Sequence, residues 1–182
     1  EPSFVSKDGT LYVYYSWIDA GAPVETRVAT APADDPNWPA NLTHHGKAIE
    51  AKDFGEDQTD VKYVDAFGKF IGVSVAQRFT KNSYLHAWQS DDGLNFTPLS
   101  NDEINIVPYA HNAGVSGTPN GHFDITKDNF VSIAHGAIWG QWNNQLVPIE
   151  VTSTDVPEPT ALLSGIMAIF GLLALNPRMR AR

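Results

Sequence analysis

Two acidic residues occupy the same position in two copies of a repeated sequence pattern. When the copies are aligned on Val5 and Val64, Glu1 coincides with Asp60, and His122 falls near the same position of a third copy. Carboxylates at equivalent starts of repeated strands would face one cavity. Hydrolysis of a glycosidic bond requires such a pair, with one carboxyl protonated and the other ionised. Glu1 and Asp60 are therefore the first candidates for acid–base chemistry.

Two histidines are further candidates for a catalytic role. A small, glycine-rich loop is predicted over residues 111–117; it begins with His111 and leads to His122. Either imidazole could lie over the cavity as an acid, a base or a ligand, and a surface or hydrogen-bonded role is the alternative. The other histidines lack zinc-site spacing, the chain has no cysteine, and the Asp91–Gly93 turn has too few ligands for calcium. The sequence predicts no metal and no cofactor.

Aromatic and basic side chains near predicted strand ends could bind a sugar. Sugars stack on exposed aromatic faces, and a cation could contact a carboxylated sugar; packing between sheets is the alternative for the tryptophans. The predicted substrate-binding residues are Trp17, Lys62, Arg78, Trp139 and Trp142.

The elements that must position these residues are short strands in a repeat. Each copy has a strand, a turn (Asp-Gly, Phe-Gly or Asp-Asn) and a stronger strand that opens with an aromatic residue. The three copies are residues 4–16, 63–75 and 124–135, with Ile125 of the third aligned on Val5. Third strands are predicted at 25–31, 84–90 and 145–151, and fourth strands at 45–49 and near 96–99. Four short antiparallel strands in each unit predict the blades of a β-propeller.

The predicted fold is therefore all-β, with about three blades of a partial propeller; a β-sandwich is the alternative. Residues 1–150 resemble the five-bladed propeller glycosidases of the arabinanase and xylosidase type. The resemblance rests on Glu1-Pro2-Ser3 before a tyrosine-rich strand and on the Ser90–Phe96 turn. It implies that Asp60 is a general base or an acid that tunes its neighbour, that Glu1 is an acid, and that N-terminal blades are absent from this chain.

The C-terminus has a different composition. Residues 160–175 contain no charge and predict a single transmembrane helix, and Arg178, Arg180 and Arg182 follow them. With Val156-Pro157-Glu158-Pro159 in front, this order resembles the PEP-CTERM sorting signal of Gram-negative bacteria. That resemblance implies an exosortase-type enzyme as partner, anchoring in the inner membrane before processing, and a final place at the cell surface or outside the cell. The predicted divisions are a domain at 1–152, a linker at 153–159, the helix at 160–175 and a basic cytoplasmic end at 176–182.

The overall charge of the chain limits the kinds of partner that it can bind. The chain carries 12 Lys and Arg against 21 Asp and Glu, a net charge of −9. Nucleic acid is excluded as a partner because phosphate neutralisation needs a basic surface. Two functions remain open: an exported enzyme that hydrolyses extracellular polysaccharide, and a non-catalytic surface protein that binds carbohydrate or matrix.

Overall fold

The chain folds into three four-stranded antiparallel sheets. The computed structural model describes residues 2–50, 56–154 and 172–177. Within them, blade 1 contains β1 (Ser3–Lys7), β2 (Thr10–Trp17), β3 (Glu25–Pro32) and β4 (Thr43–Glu50). Blade 2 contains β5 (Asp57–Val64), β6 (Lys69–Ala76), β7 (Tyr84–Ser90) and β8 (Thr97–Asn105). Blade 3 contains β9 (Ala110–Val115), β10 (Asn129–His135), β11 (Asn143–Thr154) and β12 (Leu172–Pro177). A 3₁₀ turn, Trp38–Ala40, lies between β3 and β4.

Each sheet is a simple meander in which every strand pairs with the next one along the chain. The first strands of the blades, β1, β5 and β9, lie beside one another, because Ser3 and Val115 both contact Asp60. This arrangement confirms the all-β prediction and is consistent with propeller blades around an axis. We call the end where the first strands begin the upper end, and the opposite end the lower end.

The apolar core lies between the blades. One cluster joins blades 1 and 2 and includes Val5, Tyr14, Val61 and Phe70. A larger cluster joins blades 2 and 3. Strand β6 is buried from Phe70 to Ala76 because blade 2 is covered on both faces. This central position explains why β6 is apolar on both faces, without the alternation of a half-exposed strand.

Blade 3 differs from the prediction in its first strand. The segment around Ile125, which was aligned with β1, is not a strand; the first strand is β9, in the region predicted as a loop. Residues 116–128, which we call the axial loop, connect β9 to β10 at the lower end. The loop lies between β1 and β5, where the Ser6 amide donates to Asn120 O at 2.9 Å and the Tyr63 amide donates to Gly121 O at 3.0 Å. The axial loop therefore links the inner edges of blades 1 and 2.

The Ser90–Phe96 turn has a local network centred on Asp92. Its Oδ1 accepts hydrogen bonds from the Ser90 hydroxyl and from the amides of Leu94 and Asn95, at 2.8 to 2.9 Å. Partial burial acts to raise the pKa of Asp92, but the hydrogen bonds from Asn95, Leu94 and Ser90 outweigh it and lower the pKa to about 2. The Tyr14 hydroxyl donates to Gly93 O at 2.9 Å, so the turn also joins blade 2 to blade 1.

We expect the charge of Asp92 to stabilise the fold at neutral pH. Because the pKa is lower in the folded chain than in the unfolded one, this contribution is complete above about pH 4 and is lost as the pH falls towards 2. The side chain is exposed, which limits the effect to about 1 kcal/mol or less. Asp92→Asn should therefore unfold at lower urea concentration than wild type at pH 7, and the difference should shrink by pH 2.5. A constant difference across that range would contradict this role.

The C-terminal helix prediction is wrong in part. Leu172–Leu175 belong to β12, where Thr152 pairs with Ala174 and Thr154 with Leu172. A run of apolar residues is compatible with a strand as well as with a helix. Here the run pairs as β12 with β11 and forms backbone hydrogen bonds along that edge of the sheet. Residues 160–171, the Pro-Glu-Pro motif and the three arginines lie outside the described residues. In the described part of the chain, no helix has the length and apolar character needed to cross a membrane.

Candidate functional site

Asp60 lies on the inner strand of the middle blade and contacts all three blades. Its Oδ1 accepts a hydrogen bond from the Ser3 hydroxyl of β1 at 2.7 Å. Its Oδ2 accepts the amide hydrogen of Val115 of β9 at 2.7 Å. Lys62, two residues along β5, forms an ion pair with Oδ1. The carboxylate is therefore fixed in position by every first strand that the structure describes.

The Asp60 carboxylate keeps some capacity to bind a ligand. A carboxylate has about four acceptor positions, and the contacts with Ser3, Lys62 and Val115 use three of them. The position that remains is on Oδ2, and 18% of the Asp60 side chain is exposed. Oδ2 can thus accept a hydrogen bond from a ligand hydroxyl or from water. Glu1, its predicted partner, lies outside the described residues.

Two residues predicted to act near Asp60 make contacts within the protein. His122 is on the axial loop, where Nδ1 contacts Asp65 at 2.8 Å and Nε2 donates to Ser6 O at 2.7 Å. Both ring nitrogens therefore hold the axial loop to its neighbours. Lys62 neutralises Asp60, and its alkyl chain passes beside Gly117 of the same loop. Lys62 lies beside Asp60, as predicted for a residue near the candidate acid, but its charge is already paired.

Four of the other predicted site residues meet at the upper end: Arg78, His111, Trp139 and Trp142. Together with Phe79, which was not predicted, they form a group that we call the rim cluster. His111 is fully buried on β9 and is not in a loop. Its ring stacks on Phe79 at 4.7 Å and meets Trp142 edge to face at 4.6 Å. Nε2 donates to Gln141 O at 3.1 Å, and Nδ1 is buried with no partner among the described residues.

The two tryptophans of the rim cluster remain open to solvent. Trp139 is 58% exposed and Trp142 is 47% exposed. Their ring centres are 5.3 Å apart and their planes meet at 75°. Arg78 lies beside Trp139, but its Nε donates to His111 O at 2.6 Å and another guanidinium nitrogen donates to the Asn112 side chain at 3.4 Å. The guanidinium therefore ties the loop after β6 to β9.

The backbone around the rim cluster is strained. Four non-glycine residues of the described chain have a positive φ, and three of them are here: Gln77 at 48°, Phe79 at 60° and Tyr109 at 63°. Each such residue costs about 1–3 kcal/mol, and strain of this kind concentrates at functional sites. Hydrogen bonds hold it in place: the Phe79 amide donates to Ala110 O and the Tyr109 amide to Thr80 O.

Trp17 lies apart from the rim cluster, at the upper end of blade 1. Its indole N–H donates to Asp19 at 3.0 Å, and the Arg27 guanidinium lies 4.4 Å from the ring centre. One side of the ring is thus occupied by Arg27. In blade 2, buried Glu56 accepts hydrogen bonds from Ser74 and from His86 Nδ1 at 2.5 and 2.8 Å, an internal network. No cluster of three His, Cys, Asp or Glu side chains suited to a metal occurs in the described parts of the chain.

Comparison with known proteins gives a match at the level of structure. No family model matches the sequence, and no curated protein matches it either. A similar solved structure is a GH43 beta-xylosidase/alpha-arabinofuranosidase from a compost microbial metagenome, crystallised with xylotriose in a calcium-free form. The TM-score is 0.52 over 78% of this chain, with 23% sequence identity. The two proteins share a fold. The present chain covers 43% of the length of that enzyme.

Proposed function

We propose that this chain belongs to a carbohydrate-active propeller protein that hydrolyses glycosidic bonds, with Asp60 as the carboxylate at the axis. The observation that carries the proposal is the position of Asp60: three inner strands fix it, and Oδ2 retains room for one more hydrogen bond. The chain shares its fold with a glycosidase, and this likeness supports the same class of chemistry.

In this proposal Asp60 acts as the base. Oδ2 takes a proton from the attacking water while the oxygen attacks the anomeric carbon, and an acid protonates the leaving oxygen. Glu1 is the predicted acid. The Lys62 ammonium balances the charge of Asp60 before the reaction. Inversion at the anomeric carbon would require the two carboxyl groups to be roughly 6.5–9.5 Å apart.

The first substrate to test is a short xylo-oligosaccharide, because the structurally similar enzyme was crystallised with xylotriose. The full chain is incubated with xylotriose, and products are separated by anion-exchange chromatography. The proposal expects xylose and xylobiose to appear in proportion to protein concentration. Release of product at the same rate by Asp60→Asn would sink the role given to Asp60.

A non-catalytic carbohydrate-binding protein is the second candidate, and one observation favours it. Lys62 already neutralises the charge of Asp60, as happens in ion pairs whose role is only structural. In that case xylotriose would bind without being cleaved.

We also propose that the protein is exported and sorted to the cell surface. The support is in the sequence: Val156-Pro157-Glu158-Pro159, the uncharged run and the terminal arginines stand in the order of a sorting signal. Leu172–Leu175 cannot pair with β11 and enter a membrane as a helix at the same time. Sorting by this route therefore requires β12 to separate from blade 3.

Deletion of residues 156–182 should abolish membrane association of the full chain in a Gram-negative host that has an exosortase. The measurement is immunoblotting of membrane, periplasmic and medium fractions, with Glu158→Ala as a milder variant. Identical distributions of the wild-type and deleted chains would reject the sorting role without bearing on Asp60.

A further inference from the structure

The rim cluster has features of a ligand site that the proposed hydrolysis at Asp60 does not use. We propose that it is a second site, separate from Asp60, which holds one neutral sugar ring by stacking on Trp139 and Trp142. The site would anchor the protein to the polysaccharide independently of cleavage.

The two indoles of the rim cluster are exposed to an unusual degree. Large aromatic side chains are normally buried, because each removes much apolar surface from water. Trp139 and Trp142 lie together and are about half exposed, although buried His111 and half-buried Phe79 pack behind them. Two adjacent exposed tryptophans on a rigid base form a small apolar platform, which is typical of an interaction site.

The loop that carries the two tryptophans is held in place by several hydrogen bonds. The Gly136 amide donates to Tyr109 O at 2.9 Å, and the Gln141 amide donates to Ile138 O at 2.9 Å. The Gln141 side chain accepts the Ala137 amide at 3.0 Å. The strained residues Phe79 and Tyr109 provide the contacts on the opposite side. A platform fixed in this way loses little conformational entropy when a ligand binds.

The charges near the rim cluster favour a neutral sugar as the ligand. Arg78, the nearest cation, donates its hydrogen bonds to His111 O and Asn112, so its guanidinium is engaged by β9. The chain as a whole carries a net charge of −9. Both facts disfavour a carboxylated sugar. The indole planes of Trp139 and Trp142 meet at 75° and form a corner. Such a corner accommodates the apolar face of one sugar ring, but not several sugar rings in a flat row. A neutral pyranose fits these constraints.

The two tryptophans lie at a distance from Asp60. His111 and Val115 are four residues apart on β9. This spacing corresponds to about 13 Å along an extended strand. Val115 contacts Asp60, whereas His111 supports the tryptophans. A single ring on the platform therefore leaves Asp60 Oδ2 uncovered.

The test is calorimetric titration of xylotriose into full-length variants. Trp139→Ala is expected to weaken binding about tenfold or more, and Trp139→Phe to retain affinity within about threefold. Trp38→Ala, at the lower end, is the matched control, and its affinity should equal that of wild type. Each titration uses the Asp60→Asn background, so that xylotriose is not cleaved during the measurement. Thermal unfolding of each variant checks that it folds, and the Phe variant keeps the test valid if the Ala variant does not.

Two results would overturn this second site. They are no binding of xylotriose at millimolar concentration in the Asp60→Asn background, and unchanged affinity when Trp139→Ala is added to that background. Tighter binding of a glucuronic acid-bearing xylo-oligosaccharide would reject the neutral class. Hydrolysis at Asp60 is judged separately, by cleavage of 4-nitrophenyl xyloside by the wild-type chain and by Asp60→Asn. Loss of that cleavage in a folded Trp139→Ala protein would make the platform part of the Asp60 site.

Discussion

Asp60→Asn is expected to lower the rate of glycoside hydrolysis at least about 100-fold. The amide has nearly the same shape but cannot take a proton from water. One of its two terminal atoms is an NH₂ group, which must face either the Val115 amide or the Ser3 hydroxyl and Lys62. Some stability should also be lost, because the partly buried Lys62 ammonium loses its partner. The measurement is the initial rate on xylotriose and on 4-nitrophenyl xyloside.

Asp91→Asn is the matched control for Asp60→Asn. Asp91 also pairs with a lysine, Lys69, but the pair is at the lower end and the Asp91 side chain is exposed. Its removal should change neither rate nor stability appreciably, since exposed pairs contribute about 0–1 kcal/mol. A folded Asp60→Asn protein with the wild-type rate would show that Asp60 is structural. Equal losses of rate in both variants would point to a general effect of charge.

Gly121→Ala is expected to have the largest effect on stability, about 3 kcal/mol or more. Gly121 has a φ of +79°, and a Cβ atom there would lie 2.1 Å from Phe4 O and 2.9 Å from Val5 Cα. Both contacts are with the backbone of β1, which cannot rotate away. The axial loop would have to leave its position between β1 and β5. Urea unfolding of the full chain followed by tryptophan fluorescence gives the free energy of unfolding.

Gly9→Ala separates the clash from the backbone conformation. Gly9 has a φ of +76°, close to that of Gly121, but no atom lies within 4 Å of a Cβ added there. This variant should lose only about 1 kcal/mol, the cost of a left-handed φ for alanine. If the two variants were equally stable, the close packing of the axial loop against β1 would be refuted.

Much of the sheet structure could be predicted from the sequence, because alternating apolar residues and turn dipeptides are local signals. Strand β7 coincides with the predicted residues 84–90, and β3 and β11 include the predicted third strands. Strand β9 escaped prediction because His-Asn-Ala-Gly is small and polar, and because the axial loop separates it from β10. Its strand character depends on pairing with β10, which is a tertiary contact.

The types of residue in the candidate site could be predicted from the sequence, but which of them lie together could not. Asp60 and Lys62 were expected in one place with Glu1, and the structure joins Asp60 to Ser3 and Val115. The rim cluster required two features that no sequence pattern shows. The positive φ of Phe79 and Tyr109 is unusual for aromatic residues, so their types gave no signal for it. Gln141 contributes a backbone oxygen to His111, which any residue could supply.

The central claim is that a sugar at the axis is cleaved, and proton NMR of xylotriose incubated with the full chain tests it most directly. We expect new anomeric signals of xylose and xylobiose that grow with time for the wild-type chain and remain absent with Asp60→Asn. Because water attacks the anomeric carbon directly in this mechanism, the first anomer to appear should have the inverted configuration. Intact xylotriose after prolonged incubation, while calorimetry shows that it binds, would contradict hydrolysis and leave a carbohydrate-binding propeller.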